Sequence, residues 1–283
     1  MALRLQASRT FRVYSLNFSE PWLGGKKPVR FNLSLSRTQQ FATTFDDRGR
    51  IDRDPDRGFS ITGISTGLAK RVQWPDDFFT ISHSLSYQLY QFNDFNNGLF
   101  NFGNGSSNSL SYTLGISRSS QGPNRIFPLS GSNFELTAKF TPPYSLFSGK
   151  DFKGIRSDID EATERLFEIG QNPGSVEEQV EFAELSDELE RLEEERFKLL
   201  EFYKIKFKGD WYTRLVDKLV LRTNAELGFL GSYNNDIGDV PFERFFVGGD
   251  GLGNFTLDGR DIIQLRGYEN SSLTPFSTNP ITG

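Results

Sequence analysis

Phe79-Thr80-Ile81-Ser82-His83-Ser84-Leu85-Ser86-Tyr87-Gln88-Leu89 sets an apolar or ring-bearing side chain at every second position, with a polar one between. Successive side chains of a β-strand point to opposite faces, so this stretch reads as a strand with one greasy and one wet face. The pattern recurs upstream, where Val29, Phe31, Leu33 and Leu35 interleave with Arg30, Asn32, Ser34 and Ser36, and where residues 1–7 already alternate like a strand entered part-way. Downstream, Leu110, Tyr112, Leu114 and Ile116 alternate with Ser109, Ser111, Thr113 and Gly115, and Phe134, Leu136, Ala138 and Phe140 with Asn133, Glu135, Thr137 and Lys139. Tyr203, Ile205, Phe207 and Trp211 then face away from Lys204, Lys206, Lys208 and Asp210, and Leu219, Leu221, Ala225, Leu227 and Phe229 away from Arg222, Asn224 and Glu226. Residues 59–73 fit less cleanly, and a strand is expected there mainly because the spacing requires one.

These faces suit either a soluble β-sandwich or a membrane barrel, and three features favour the barrel. The runs cover about 9–13 residues, longer than ordinary strands and matched to a tilted strand crossing a bilayer. Their polar faces are rich in Ser, Thr, Asn and Lys, as a wet lumen requires. Short connections (24–27, 73–77, 216–218) mostly alternate with long ones (42–58, 93–108, 143–200, 232 onward), which is the asymmetry of short periplasmic turns and long external loops; the 118–130 link is the longest of the short set. In lipid every backbone polar group must be paired within the protein, so such strands close on themselves.

The inventory removes other classes. With no cysteine there is no disulfide, thiolate metal site or Cys nucleophile, and one histidine, His83, leaves little for a triad. A net charge of −5 argues against nucleic acid as the main partner. The 28 phenylalanines fit disorder badly, and no stretch reaches the ~18 consecutive apolar residues of a membrane helix. The start lacks the charged and apolar regions of a signal peptide. Without a clustered acid, base and nucleophile, neither an enzyme nor a cofactor is expected.

Residues 151–200 depart from the alternation. They carry 16 acidic and 6 basic residues, so this segment is strongly acidic while the rest of the chain is net basic. Ser157-Asp158-Ile159-Asp160 can cap a first helix, Asn172-Pro173-Gly174 breaks it, and Ser175-Val176-Glu177-Glu178 forms a capping box for a second. Phe182, Leu185, Leu189, Leu192 and Leu199 recur at helical spacing, interrupted by Arg196. The segment is expected to be a helical hairpin in a long loop, a solvated extension packing on itself or a docking surface for another protein.

The last fifty residues hold the most specific signal: Pro241-Phe242-Glu243-Arg244-Phe245-Phe246-Val247-Gly248-Gly249-Asp250, then Gln264-Leu265-Arg266-Gly267-Tyr268-Glu269. This pairing of a Phe-rich Gly-Gly stretch with an Arg-Gly-aromatic motif resembles the sixth extracellular loop of the BamA-like outer-membrane β-barrel assembly proteins, in the superfamily of bacterial surface antigens and polypeptide-transport barrels. Phe18-Ser19-Glu20-Pro21-Trp22-Leu23 is similar to the strand end and turn after that family's fourth strand, and Phe127-Pro128-Leu129-Ser130-Gly131-Ser132 to the turn that starts its ninth.

The resemblance implies an all-β chain, an antiparallel transmembrane β-barrel that is partial at about nine of sixteen strands, with a helical hairpin inserted in an extracellular loop. In that register the chain begins in the third strand and stops inside the sixth loop, so 1–283 are barrel, 151–200 the acidic hairpin and 232–283 a long sixth loop folding into the lumen. It implies the Gram-negative outer membrane as location, folding and insertion of β-barrel clients as function, and outer-membrane lipid, nascent clients and accessory lipoproteins as partners. A sibling translocator or a passive porin is the alternative. Arg266 would hold the sixth loop through a bidentate contact to a carboxylate on later strands, Gly267 would permit close backbone approach and Tyr268 would pack on the barrel wall, with Gly248 and Gly249 as the loop's turn.

Other candidates read blandly. Asp52, Asp54 and Asp56 alternate as in a calcium loop, but Arg57 and Gly63 stand where glycine and a bidentate Glu are needed, so a solvated loop is expected. Gly248–Gly253 precedes no helix and reads as a turn. His83 is expected to be an interfacial side chain, with no metal site, and Lys204, Lys206 and Lys208 to act as lumen electrostatics paired with Glu135 or Glu226.

Overall fold

The computed structural model describes residues 1–25, 28–45, 51–95, 103–121, 126–171, 176–217, 219–249, 261–265, 267–269 and 272–273. Nine strands form one antiparallel sheet in chain order: β1 (Ala2–Ala7), β2 (Phe11–Glu20), β3 (Val29–Phe45), β4 (Ile51–Val72), β5 (Phe79–Asn93), β6 (Gly105–Ser119), β7 (Gly131–Phe140), β8 (Tyr203–Val216) and β9 (Leu219–Gly231). Register follows the alternation. Leu3, Leu16, Leu35, Ile64, Tyr87 and Leu110 are successive cross-strand partners from β1 to β6, a single apolar row. The neighbouring row, Arg4, Ser15, Ser36, Gly63, Gln88 and Ser109, lies on the opposite face. A one-residue slip in any strand would set polar against apolar, so the two-residue period pins the register.

The apolar face is left open. Leu3, Leu35, Ile64, Leu85, Leu136 and Phe229 are exposed, and Leu227 reaches 67 %. A band this continuous is far larger than the apolar patches a water-soluble monomer tolerates, and it fits a surface solvated by lipid. No helix among the described residues is long and apolar enough to cross a membrane, and strands make no such demand.

Several expectations are corrected. Residues 42–45 and 51–54 are strand rather than loop: Ala42, Thr43, Thr44 and Phe45 pair with Asp54, Arg53, Asp52 and Ile51, so β3 and β4 run on to 17 and 22 residues. The calcium-like aspartates lie in this hairpin arm, where residues between Asp54 and Gly58 are absorbed by a register shift at Phe41/Ala42. Alternation was hidden in β4 because Thr62 and Thr66 sit in the apolar row and Gly63 and Gly67 opposite. His83 is bonded through Nδ1 to the Tyr112 hydroxyl on the apolar face.

The insertion between β7 and β8 is a helical hairpin, α1 (Phe152–Gln171) and α2 (Val176–Phe197), whose helices pack on each other. Helix α1 begins earlier than expected, because Asp151 rather than the 157–160 stretch accepts a capping bond, from the Gly154 N–H at 3.0 Å. Ile159, Ala162, Leu166 and Ile169 form its buried stripe. Leu199 lies beyond α2. Ser175 of the expected capping box, and the helix breaker, fall outside the described residues.

The buried apolar core lies at the long-connection end of the sheet. Phe59, Tyr90 and Phe92 sit on the parity that is polar lower in β4 and β5, and they pack with Phe197, Leu200, Phe202, Ile237 and Val240. The chain leaving α2 also supplies backbone pairing. β7 stops short of the upper part of β6, and there Asn108 N–H donates to Lys198 O at 2.9 Å while Leu200 N–H donates to Asn108 O at 2.8 Å. Glu190 and Glu194 of α2 accept from the Gly103 and Ser106 N–H groups at 2.8 and 2.9 Å. The hairpin is therefore docked on the sheet end.

Candidate functional site: the docked loop after β9

The polar face of β7–β9 carries Lys139, Lys204, Lys206 and Lys208 against Glu135 and Glu226, an excess of positive charge. Lys208 finds Glu226 at 3.8 Å as expected. Lys204 and Lys206 do not use that pair. Their partners come from the segment that follows β9.

That segment leaves β9 through Ile237 and Val240, both in the buried core, and a short 3-10 turn at Pro241–Glu243 then lowers Glu243 onto the sheet. The Glu243 carboxylate accepts from Lys139 Nζ at 2.6 Å and Lys204 Nζ at 3.2 Å, and the Glu243 carbonyl accepts from Lys204 at 2.7 Å. Lys204 also pairs with Asp261, which Lys206 reaches at 3.1 Å. Only 3 % of the Lys204 side chain is exposed, so this ammonium depends on its two carboxylates. Burial alone would raise the Glu243 carboxyl, but the adjacent Lys139 and Lys204 charges and their hydrogen bonds hold it below its ordinary value. Asp261 is likewise held low against burial by the hydrogen bond and charge of Lys204 and by Lys206.

Apolar contact adds to the charge. A Cβ on Gly228 of β9 would meet the Phe245 ring at 2.5 Å, so glycine leaves the flat seat on which that ring rests. Lys204 Nζ stands 4.6 Å from the centroid of the same ring. β10 (Phe245–Val247) pairs in parallel with β11 (Asp261–Ile263), Phe245 opposite Asp261, so both anchors share one rung. A cavity of about 320 Å³ bordered by Ser86, Gln88, Lys139 and Lys204 remains beside the clamp.

The sequence-derived motif residues come together here. Gly248 and Gly249 have φ of +124° and +88°, a turn open to glycine, and the Gly249 N–H donates to Tyr268 O at 3.0 Å while Leu265 N–H returns to Gly249 O at 3.0 Å. Gly267 has φ +89°, a left-handed conformation that glycine adopts without strain. Tyr268 is 51 % exposed and is not seated on the wall formed by these strands. Arg266 lies outside the described residues. Among the described residues no cluster of His, Asp and Glu could hold a metal ion.

In the sequence Glu243 and Phe245 stand in the quoted stretch without a role, Lys139 appears only in the alternation of its strand, and Asp261 is not singled out. The available signal was electrostatic: three lysines on one strand face outnumber the acids beside them, and the surplus must be met from elsewhere.

An Omp85 superfamily domain matches residues 189–283, from the second half of α2 through the docked segment. That match covers the last third of the chain, the stretch that holds the docked segment. Its fold is similar to that of BamA from Haemophilus ducreyi lacking POTRA domains 1–3, with a TM-score of 0.54 and 14 % sequence identity, over 96 % of this chain and 40 % of that one. The chain thus spans about 40 % of the length of the barrel protein it matches. No curated protein sequence matches it.

Proposed function

We propose that this chain is part of an outer-membrane assembly factor, one that folds nascent β-barrel proteins and inserts them into the bilayer. The observation that carries the reading is the segment after β9, which turns back onto the polar face of β7–β9 and is fastened there by ion pairs centred on the buried Lys204, a device for which a passive pore has no use. On this reading residues 232–283 are the sixth extracellular loop lying in the lumen, and residues 151–200 belong to another external loop. Arg266 is the loop's anchor to strands beyond this chain. The partners are outer-membrane lipid, nascent barrel clients that pair edge to edge, and accessory lipoproteins. No covalent step is involved.

Depletion of the full-length protein tests this. Outer-membrane barrel proteins should fall in the outer membrane and accumulate unfolded in the periplasm, and Arg266→Ala should reproduce the defect. Normal barrel levels with loss of one exported polypeptide from the cell surface would identify a sibling translocator instead. Loss of small-solute uptake alone would identify a porin.

A further inference from the structure

The Arg266 contact is expected on later strands. The structure shows a separate attachment on the opposite side of the same loop. Glu243, Phe245 and Asp261 all meet the wall built by β7, β8 and β9, and all three converge on one buried ammonium, that of Lys204. Lys139 and Lys206 brace the carboxylates from either side, and Gly228 supplies the flat seat. Removing Lys204 would leave Glu243 and Asp261 each with one lysine and Phe245 without its cation.

We infer that Lys204 is the positioning residue of the sixth loop: it clamps the two segments of the loop that carry Glu243 and Asp261 to the β7–β9 wall. The geometry is specific. β11 ends at Ile263, and Leu265, hydrogen-bonded to Gly249, immediately precedes Arg266 in the chain. A clamp on Asp261 therefore sets the position of the motif within five residues of its arginine. On the wall that is present the loop is held by an ammonium relay, Lys139 and Lys204 on Glu243 and Lys204 and Lys206 on Asp261. The functional consequence rests on the assembly reading; the clamp itself does not.

The test uses the full-length protein in outer-membrane vesicles, with two readouts. The first is the rate at which trypsin cleaves at Arg244 and Arg260. Lys204→Met should raise that rate at least tenfold, and Lys204→Arg, which keeps the charge, should restore most of the protection. Glu243→Gln and Asp261→Asn, which leave the β7–β9 wall untouched, should each raise it severalfold, while Lys208→Met, whose partner Glu226 lies on the wall itself, should not. Wild-type protection in Lys204→Met, Glu243→Gln and Asp261→Asn would overturn the clamp. The second readout is client insertion in the same variants. Lost protection with normal client levels would leave the clamp standing and remove the assembly reading, whereas lost protection with lost insertion supports both.

Discussion

Two insertions leave the same end of the sheet and are held by different physics. The helical hairpin is fastened by an apolar core of Phe197, Leu200 and Phe202, and by backbone bonds to Asn108 and Thr141. The loop after β9 shares that core as far as Ile237 and Val240, and beyond them it is fastened largely by charge, through Lys139, Lys204 and Lys206 against Glu243 and Asp261. Apolar burial is non-directional and hard to reverse locally, while an ion-pair relay fixes geometry yet answers to pH and partner charge. The permanent fixture is thus the hairpin, and the releasable one is the loop. The two meet at Lys139, whose ammonium lies 5.1 Å from the Phe202 ring centroid while bonding Glu243.

The largest effect should come from the apolar side. Phe202 is fully buried, and Phe202→Ala should cost about 3–5 kcal/mol, read as a lower midpoint for heat-induced loss of the folded gel form and as new protease cuts in 151–200. If those cuts do not appear, the hairpin is not fastened by this core. Next, Gly228→Leu would push a side chain into the seat of Phe245, costing about 1–3 kcal/mol of overpacking strain. It should expose the loop while the hairpin stays protected, which proteolysis separates by fragment size.

The third prediction is a pH dependence. Glu243 and Asp261 are held below their ordinary values of 4.5 and 3.8. Their contribution to docking is therefore complete above those values and is lost as pH falls through the lower folded ones. The charged groups of that face include Lys139, Lys204, Lys206, Lys208, Glu135 and Glu226, together with Asp210 and Arg222, which pair with each other. Trypsin-independent labelling of the loop should rise on acidification, and Glu243→Gln should flatten the rise. The smallest effect is expected at Arg165, whose bonds to Glu168 and Glu181 are exposed, so Arg165→Ala should leave the melting of the intact protein unchanged.

How much of this was legible follows from where each signal lies. Strand register was readable because a two-residue period is local: Leu85 and Ser86 announce their faces without knowing their partners. The hairpin was readable for the same reason, from Leu185, Leu189 and Leu192. The extent of β3 and β4 was not, since Asp52 and Asp54 look like loop chemistry and are held in a strand by pairing with Thr44 and Ala42. Nor was the upper core, because Tyr90 and Phe92 continue a polar parity and turn apolar only where the chain from α2 covers them. The clamp joins Lys139 to Glu243 across more than a hundred residues, and no periodicity encodes a contact that distant.

Thr141 and Phe202 flank the hairpin, and they are tied to each other: the Thr141 N–H donates to Phe202 O at 3.0 Å, and the Phe202 N–H returns to the Thr141 hydroxyl at 2.7 Å. Entrance and exit are stitched shut, so the mating of β7 with β8 owes nothing to the helices beyond the stitch. What stands above it is exchangeable cargo. A lineage could lengthen, trim or replace those two helices and leave every rung of the wall below in place.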